Sequence, residues 1–542
     1  MIKPRSLPAT PPLRSKSSIR RGWARLAAWI ADDNRSVLLA CGFTIAHVVI
    51  WTAILTQLKA AQDVHFDVAE AFGWGQQFLF GYGKHPPLSG WVAGVWFRIF
   101  PVADWAAYAL AMATTGFGMI TCWFIALRVV DRRRAFLVLV MLALYPIFNF
   151  KGFKYNADLV QLATMPLLVL AYLDAFEKRT VRSGILLGLA AALALMCKYW
   201  VVTMVGAIGI AALLHPARFA FLRSPAPWVA LVTLALAMVP HIMWLESVDF
   251  LAFTYAGDTY ALSSRSAALH LVLGYIGHNF ALLALPVALA AAALAWTPHG
   301  IRMMLRSPAR FAGLSWSRQP NPAVNLPQAL NIWIIQIIVA VGPPLGAFAL
   351  DIYLKTDWGI SLFFLTPLAL VAIPALRVRQ MAVIRLLVIW LVLSLAVLFT
   401  APQIAKWTMD SQDAASSAAQ GSRSQLAREL TQLWVQRFPG KFPVVIAPTD
   451  VGEPVTFYSP DHPVALTPLE HWSSGLTTLE KARRSGFIGV CEANDSKQER
   501  CDAWMKDNAA GAEKLLISTR RFVDGRMGAA TGWHVYIMPP AP

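Results

Sequence analysis

Residues 63–91 read DVHFDVAEAFGWGQQFLFGYGKHPPLSGW, and this stretch decides how the chain is read. It follows the first long apolar run and sets an Asp, a Glu, a Lys, a His and a Pro pair among aromatic rings. Asp67 and Glu70 stand three apart, so one helical turn points both carboxylates to the same side. The aromatic flanks suit a helix lying at a membrane surface. Gly81-Tyr82-Gly83-Lys84-His85-Pro86-Pro87 then breaks the helix and turns a cation and an imidazole back toward the carboxylates. Carboxylates in an interfacial loop are often merely solvated. The Lys–His turn that follows so closely points instead to a reaction centre.

The rest of the chain sets this stretch in a membrane. Of 542 residues, 57% are hydrophobic and 14% charged, which is too apolar for a soluble globular protein. The net charge of +17 would suit nucleic acid, but no basic-aromatic module is visible. The cations sit in short clusters between apolar runs, where they set topology and meet lipid headgroups. Apolar runs of spanning length fall at 36–56, 104–127, 135–150, 159–176, 184–197, 200–214, 226–246, 267–296, 330–350, 358–375 and 381–401, which predicts about eleven spans. Residues 1–35 read as a disordered, basic cytoplasmic tail, and the first run as an anchor with no cleavage site behind it.

With that tail in the cytoplasm, every second loop carries the cations: Arg128 with Arg132, Arg133 and Arg134, then Lys178, Arg179 and Arg182, then Arg218 and Arg223. Arg302, Arg306, Arg310 and Arg318 continue the series, and Arg377 and Arg379 end it. This is the positive-inside pattern. It places the 57–103 loop, the loops at 151–158, around 198, 247–266 and 351–357, and everything after 402 on the outer, periplasmic face. The expected architecture is therefore an α-helical polytopic domain over 36–401 and a periplasmic α/β domain over 402–542. In the latter, a helix is expected over 422–438 with Ser424 as its cap, and strands over 442–447, 486–490 and 534–538. Cys41, Cys122 and Cys197 lie in apolar runs; Cys491 and Cys501 are close enough to pair on an oxidised face. No second Cys pair or His completes a zinc site around them.

The outer face gathers further charges. Lys151-Gly152-Phe153-Lys154-Tyr155-Asn156-Ala157-Asp158 opens a span, and either Asn156 or Asp158 could cap it. Lys198-Tyr199 lies between two apolar runs, where a Lys must snorkel or find an anion. A lone His such as His241, with Trp244 beyond it, is more often a packing residue than a ligand. Arg265 and Lys355 are cations at membrane depth that could each be an interface anchor. Together they suit sugar transfer from a lipid phosphate: a carboxylate takes the acceptor's proton, and cations stabilise the departing phosphate. A divalent metal on Asp67, Glu70 and His85 could share that task, though no spacing demands one.

These residues resemble the GT-C glycosyltransferases of the dolichyl-phosphate-mannose type (families 39 and 83), which include protein O-mannosyltransferases, aminoarabinose transferases of lipid A and rhizobial lipopolysaccharide galacturonosyltransferases. The match runs through Asp67-Val68-Ala69-Glu70, Gly81 to Leu88, Tyr155-Asn156-Ala157-Asp158, Lys198-Tyr199, Pro240-His241-Ile242-Met243-Trp244 with Phe250, and Tyr458-Ser459-Pro460-Asp461-His462-Pro463. The resemblance implies a bacterial inner-membrane enzyme with a periplasmic site, a polyprenyl-phosphate-linked sugar donor and an acceptor such as lipid A or lipopolysaccharide core. It makes Asp67 the principal catalytic carboxylate and Asp158 a second acidic residue, with Lys84 and His85 near the donor phosphate. Glu70 is a third catalytic candidate. Many relatives carry Asp and Glu side by side, whereas Val68 follows Asp67 here. Lys198, Arg265 and Lys355 are further candidates for the phosphate; Lys154, Asn156, Tyr199, His241 and Trp244 are candidates for substrate. The alternatives are a protein O-mannosyltransferase, a flippase or transporter of lipid-linked sugars, for which no internal repeat is seen, and a membrane scaffold.

Overall fold

A computed structural model describes residues 15–260, 262, 264–295, 323–410, 417–470 and 475–541. The chain is a mostly helical polytopic membrane protein followed by a small α/β unit. Seven described helices are long and apolar enough to cross a membrane: Asp33–Leu58, Asp104–Val129, Ala157–Lys178, Pro225–Ser247, Arg265–Ala295, Leu326–Ala349 and Gln380–Met409. Arg132–Leu144 with Pro146–Phe153 makes an eighth if that pair, bent by 74°, is one span. Val181–Leu195 and Val202–Leu214 are apolar but short. Leu38, Val49, Phe117, Leu236, Phe280 and Phe399 stand exposed on these helices, the outward apolar face that lipid requires.

Three expectations need correction. Residues 15–31 of the supposed disordered tail form a helix, Ser15–Ala31. A new helix starts at Asp33 because the Asp32 carboxylate accepts the N–H groups of Asn34 and Arg35. The run at 358–375 is not one span: it breaks into a 3₁₀ turn, Thr356–Gly359, and a six-residue helix, Thr366–Val371. Pro367 fixes that helix start and Pro374 follows its end. Ser424 caps nothing, since the helix there runs Ser417–Arg437. Arg302, Arg306, Arg310 and Arg318 lie outside the described residues.

Two short helices lie between the first long ones, Phe66–Gly75 and Leu88–Ile99. They pack backbone to backbone at Gly75 and Gly94; a Cβ on Gly75 would come 2.5 Å from the Gly94 nitrogen. Any larger residue there would push apart the two elements that carry the 63–91 stretch.

The C-terminal unit has strands β1 (Val444–Ile446), β2 (Val464–Leu466), β3 (Phe487–Glu492), β4 (Glu513–Thr519), β5 (Phe522–Val523), β6 (Arg526–Met527) and β7 (Thr531–Met538). Five form a mixed sheet ordered β2-β1-β3-β7-β4, with β1 parallel to β2 and β3, and β7 antiparallel to β3 and β4. Leu426, Leu430 and Trp434 cover one face. Cys501 and Met505 of the Gln498–Asn508 helix cover the other, where Cys491 and Cys501 are joined by a disulfide. The helix Thr449–Tyr458 lies against Phe66–Gly75, with Phe72 edge-on to Phe457 at 5.4 Å. The C-terminal unit and the 63–91 stretch thus meet directly.

Candidate active site

The Phe66–Gly75 helix begins at His65, whose Nδ1 accepts the Asp67 backbone N–H at 3.2 Å. That cap puts Asp67 in the first turn and Glu70 one turn on, both facing a cavity of about 420 Å³. Asp67 Oδ2 accepts from Lys154 Nζ at 2.9 Å and from Asn156 Nδ2 at 2.9 Å. Asn156 also caps the Ala157–Lys178 helix, its Oδ1 accepting the Leu159 N–H at 3.0 Å. Asn156 is therefore the cap, and Asp158 is left to face the cavity. Across the turn, Tyr82 and His85 exchange backbone hydrogen bonds at 3.0 and 3.1 Å. The loop so closed delivers Lys84 Nζ to within 2.8 Å of Glu70 Oε1. Lys198 Nζ donates to Asp158 Oδ1 at 2.7 Å and lies 5.3 Å from the Trp358 ring centre. Gln161 braces the same Asp158 oxygen at 3.1 Å.

Asp67, Glu70, Lys84, His85, Lys154, Asn156, Asp158, Lys198 and Lys355 all line this one cavity. They arrive from four separate parts of the chain, all expected on the same face. Four other candidates stand apart. Arg265 is exposed, its guanidinium 4.9 Å from the Phe348 ring. Tyr199, His241 and Trp244 hold the turn from behind: His241 Nδ1 lies 2.7 Å from the Phe80 carbonyl, its Nε2 3.1 Å from Tyr199 Oη, and its ring stacks on Trp244. Trp244 lies so close over Gly81 that no Cβ fits there. These three residues set the Lys84 loop and do not line the cavity. Reading the sequence gave no role to His65, Tyr255, Tyr260 or Asp357, which do line it. Only His65 carried a local signal, as the residue before a helix start.

The charges are unequal in kind. Burial alone would push the Asp67 carboxyl up, but Lys154, with His65 and Lys84, outweighs it and holds Asp67 well below the usual carboxylate range. Glu70 goes the other way: burial and the neighbouring Asp67 charge, against the pull of Lys84, push it up to about 7. Burial, with Lys198 and Lys84 nearby, drives His85 far below its ordinary value and keeps it neutral. Of the possible metal set Asp67, Glu70 and His85, both carboxylates are held by lysines in this structure, Asp67 by Lys154 and Glu70 by Lys84. Among the described residues no three His, Cys, Asp or Glu side chains gather around a metal position.

Glu70 makes the cavity's charge depend on pH. Below its pKa it takes a proton and Lys84 is left with an uncompensated charge; above it the pair is neutral. An anionic phosphodiester bound in this cavity should therefore gain roughly three- to ten-fold in affinity from about pH 8 to about pH 6, a screened Coulomb effect of about 1 kcal/mol. A phosphodiester does not itself titrate in that window. Binding titrations of wild type and Glu70→Gln check this: the variant should bind alike at both ends, and an unchanged slope would remove Glu70 from the account.

Residues 84–244 match a family model described as dolichyl-phosphate-mannose-protein mannosyltransferase. The lipid A galacturonosyltransferase RgtD of Rhizobium johnstonii is 25% identical over 226 residues, covering 39% of this chain and 44% of that protein. The match thus spans under half the length of that curated relative. Crystal structures of ArnT from Cupriavidus metallidurans, bound to undecaprenyl phosphate and in the apo state, are 12% identical. They cover 92% and 97% of this chain, and 99% and 100% of those chains, with TM-scores of 0.49 and 0.46. The chain is similar to the GT-C glycosyltransferase superfamily, as its motifs indicated.

Proposed function

We propose that this protein transfers a sugar from a polyprenyl-phosphate-linked donor to a cell-envelope glycolipid, lipid A or lipopolysaccharide core, with Asp67 as general base. The reaction takes place on the periplasmic side of a bacterial inner membrane, with the N-terminus cytoplasmic and residues 402–542 periplasmic. The observation that carries this reading is Asp67 itself, a carboxylate kept ionised by Lys154 and fixed by Asn156 in a cavity lined with lysines. The acceptor oxygen attacks the anomeric carbon as the bond to the phosphate oxygen breaks and its electron pair leaves with the phosphate. A single displacement of this kind inverts the anomeric centre. The hydroxyl proton passes to Asp67 late, because a carboxylate held so acidic is a weak base until the oxygen has begun to bond. Until then its charge faces the developing positive charge on the sugar. RgtD, a lipid A galacturonosyltransferase by name, supports a glycolipid acceptor, and the dolichyl-phosphate-mannose family model supports a lipid-phosphate donor. The cavity is built from inter-span loops and helix ends, which favours transfer over transport through the bundle.

Mass spectrometry of envelope glycolipids and lipid-linked sugars from a strain lacking the gene tests this. A sugar should vanish from one glycolipid while its lipid-phosphate donor accumulates, and the wild-type gene should restore both. Unchanged glycolipids would end the transferase reading. Donor building up only on the cytoplasmic side would favour a flippase.

A further inference from the structure

Five lysines line the cavity, and their partners divide them. Lys84, Lys198 and Lys154 each hold a carboxylate, at 2.8, 2.7 and 2.9 Å. An ammonium matched at contact distance has little field left for a second anion. Lys151 and Lys355 are different. Among the described residues neither has a carboxylate within ion-pair distance. Lys151 Nζ instead lies 3.1 Å from His278 Nε2, a ring nitrogen that can accept its hydrogen bond without matching its charge. Asp357 Oδ1 stands 3.7 Å from the same His278 nitrogen, whose lone pair faces Lys151 and so offers the carboxylate no hydrogen.

Position adds to charge. Lys151 sits in the 3₁₀ turn Phe150–Phe153, and Lys154, which holds Asp67, comes directly after it. Lys151 and Asp67 thus border one cavity, the first as a cation and the second as the proposed base.

We infer that Lys151, steadied by His278, binds the donor phosphate and stabilises it as it leaves, with Lys355 as the second unmatched cation. This rests on the proposed glycosyl transfer and assigns its leaving-group site. As the acceptor oxygen bonds to the anomeric carbon, the electron pair of the breaking bond goes to the phosphate oxygen, and the charge that appears there faces Lys151. Lys198 then serves chiefly to hold Asp158, and Lys84 holds Glu70 while that carboxyl is ionised. His278 is a positioning residue.

The test is binding of polyprenyl phosphate and of the uncharged polyprenol to the full-length protein in detergent, followed by tryptophan fluorescence at fixed pH. Wild type should prefer the phosphate. Lys151→Met should lose roughly ten- to a hundred-fold in phosphate affinity, the scale of a hydrogen bond to a charged group. Its polyprenol affinity should not move, and Lys151→Arg should recover most of the loss. His278→Phe should weaken phosphate binding by a smaller factor and leave polyprenol binding intact, which a merely structural role would not do. Lys178→Met, at the far end of the Ala157–Lys178 helix, should bind like wild type. Equal phosphate affinity in wild type and Lys151→Met overturns the inference while the transferase proposal stands. A parallel loss of both ligands in Lys151→Met and Lys151→Arg also overturns it. Wild type that binds polyprenol as well as the phosphate, or neither, overturns both.

Discussion

Asp67→Asn should leave a protein that inserts and binds donor but turns over about 10²–10⁴-fold more slowly, the span usual for loss of a positioned acid or base. The carboxamide is isosteric, and its oxygen can still accept from Asn156, so the helix start and the cavity wall should persist. Only the charge and the basic oxygen are removed. The measurement is the single-turnover rate with saturating donor and a purified glycolipid acceptor, beside the donor affinity of the same preparation. A fall of less than about ten-fold with intact binding would strip Asp67 of the general-base role. A companion variant probes the same carboxylate from its other side. Lys154→Met removes the ammonium that holds Asp67 acidic, and burial then raises its pKa. The rate of that variant should fall as pH drops toward neutrality. In wild type Asp67 contributes no such limb, because its pKa lies far below working pH.

What could be read from the chain beforehand was the convergence of charges. Asp67, Glu70, Lys84, Asp158, Lys198 and Lys355 lie in loops that the arginine alternation assigns to one face, and the structure brings all six to one cavity. A charge beside long apolar runs has few places to go, so face and depth nearly fix its neighbours. The pairing within the cavity was not legible. That Lys154 takes Asp67 while Lys84 takes Glu70 depends on a 3₁₀ turn and a four-residue loop, whose geometry leaves no period in the sequence. The same limit explains Tyr199, His241 and Trp244. Aromatic and imidazole rings near a span end look alike whether they meet a ligand or brace a loop, and only the Phe80 carbonyl and Gly81 decide it. His278 lay hidden inside an apolar run, and its link to Lys151 joins residues 127 apart. The span at 358–375 failed for a simpler reason: hydropathy does not register what Pro367 and Pro374 do to the backbone.

Arg521→Met should loosen the C-terminal unit from the site, with an opening cost lowered by about 3–5 kcal/mol, the usual penalty for breaking one side of a buried ion pair. Arg521, in the connection between β4 and β5, reaches across to the first inter-span loop. It pairs with Asp63, whose side chain is 2% exposed, and donates to the Ala60 carbonyl from Nε at 3.1 Å and Nη2 at 3.0 Å. It also donates to Ser424 Oγ at 3.1 Å, while the Ser424 backbone N–H donates to Asp63 Oδ2. Beside it, Tyr458 Oη donates to Asp104 at 2.7 Å and accepts the Val64 N–H at 2.8 Å. Residues 60–64 lead straight into His65 and Asp67, so this clasp fixes the start of the helix that carries the base. Removing the guanidinium leaves Asp63 buried and charged without its partner, a cost that falls wholly on the closed state. Hydrogen exchange over residues 59–66 should therefore quicken about 10²–10⁴-fold, and turnover should fall even though nothing in the cavity has changed. Arg521→Met combined with Asp63→Asn should recover much of the loss, because the stranded charge is gone; the shortfall that persists measures the hydrogen bonds to Ala60 and Ser424 together with the ion pair to Asp104 at 3.8 Å. Unaltered exchange in Arg521→Met would show that the two units are held by the Phe72–Phe457 packing instead, and would uncouple the C-terminal unit's polar contacts from catalysis.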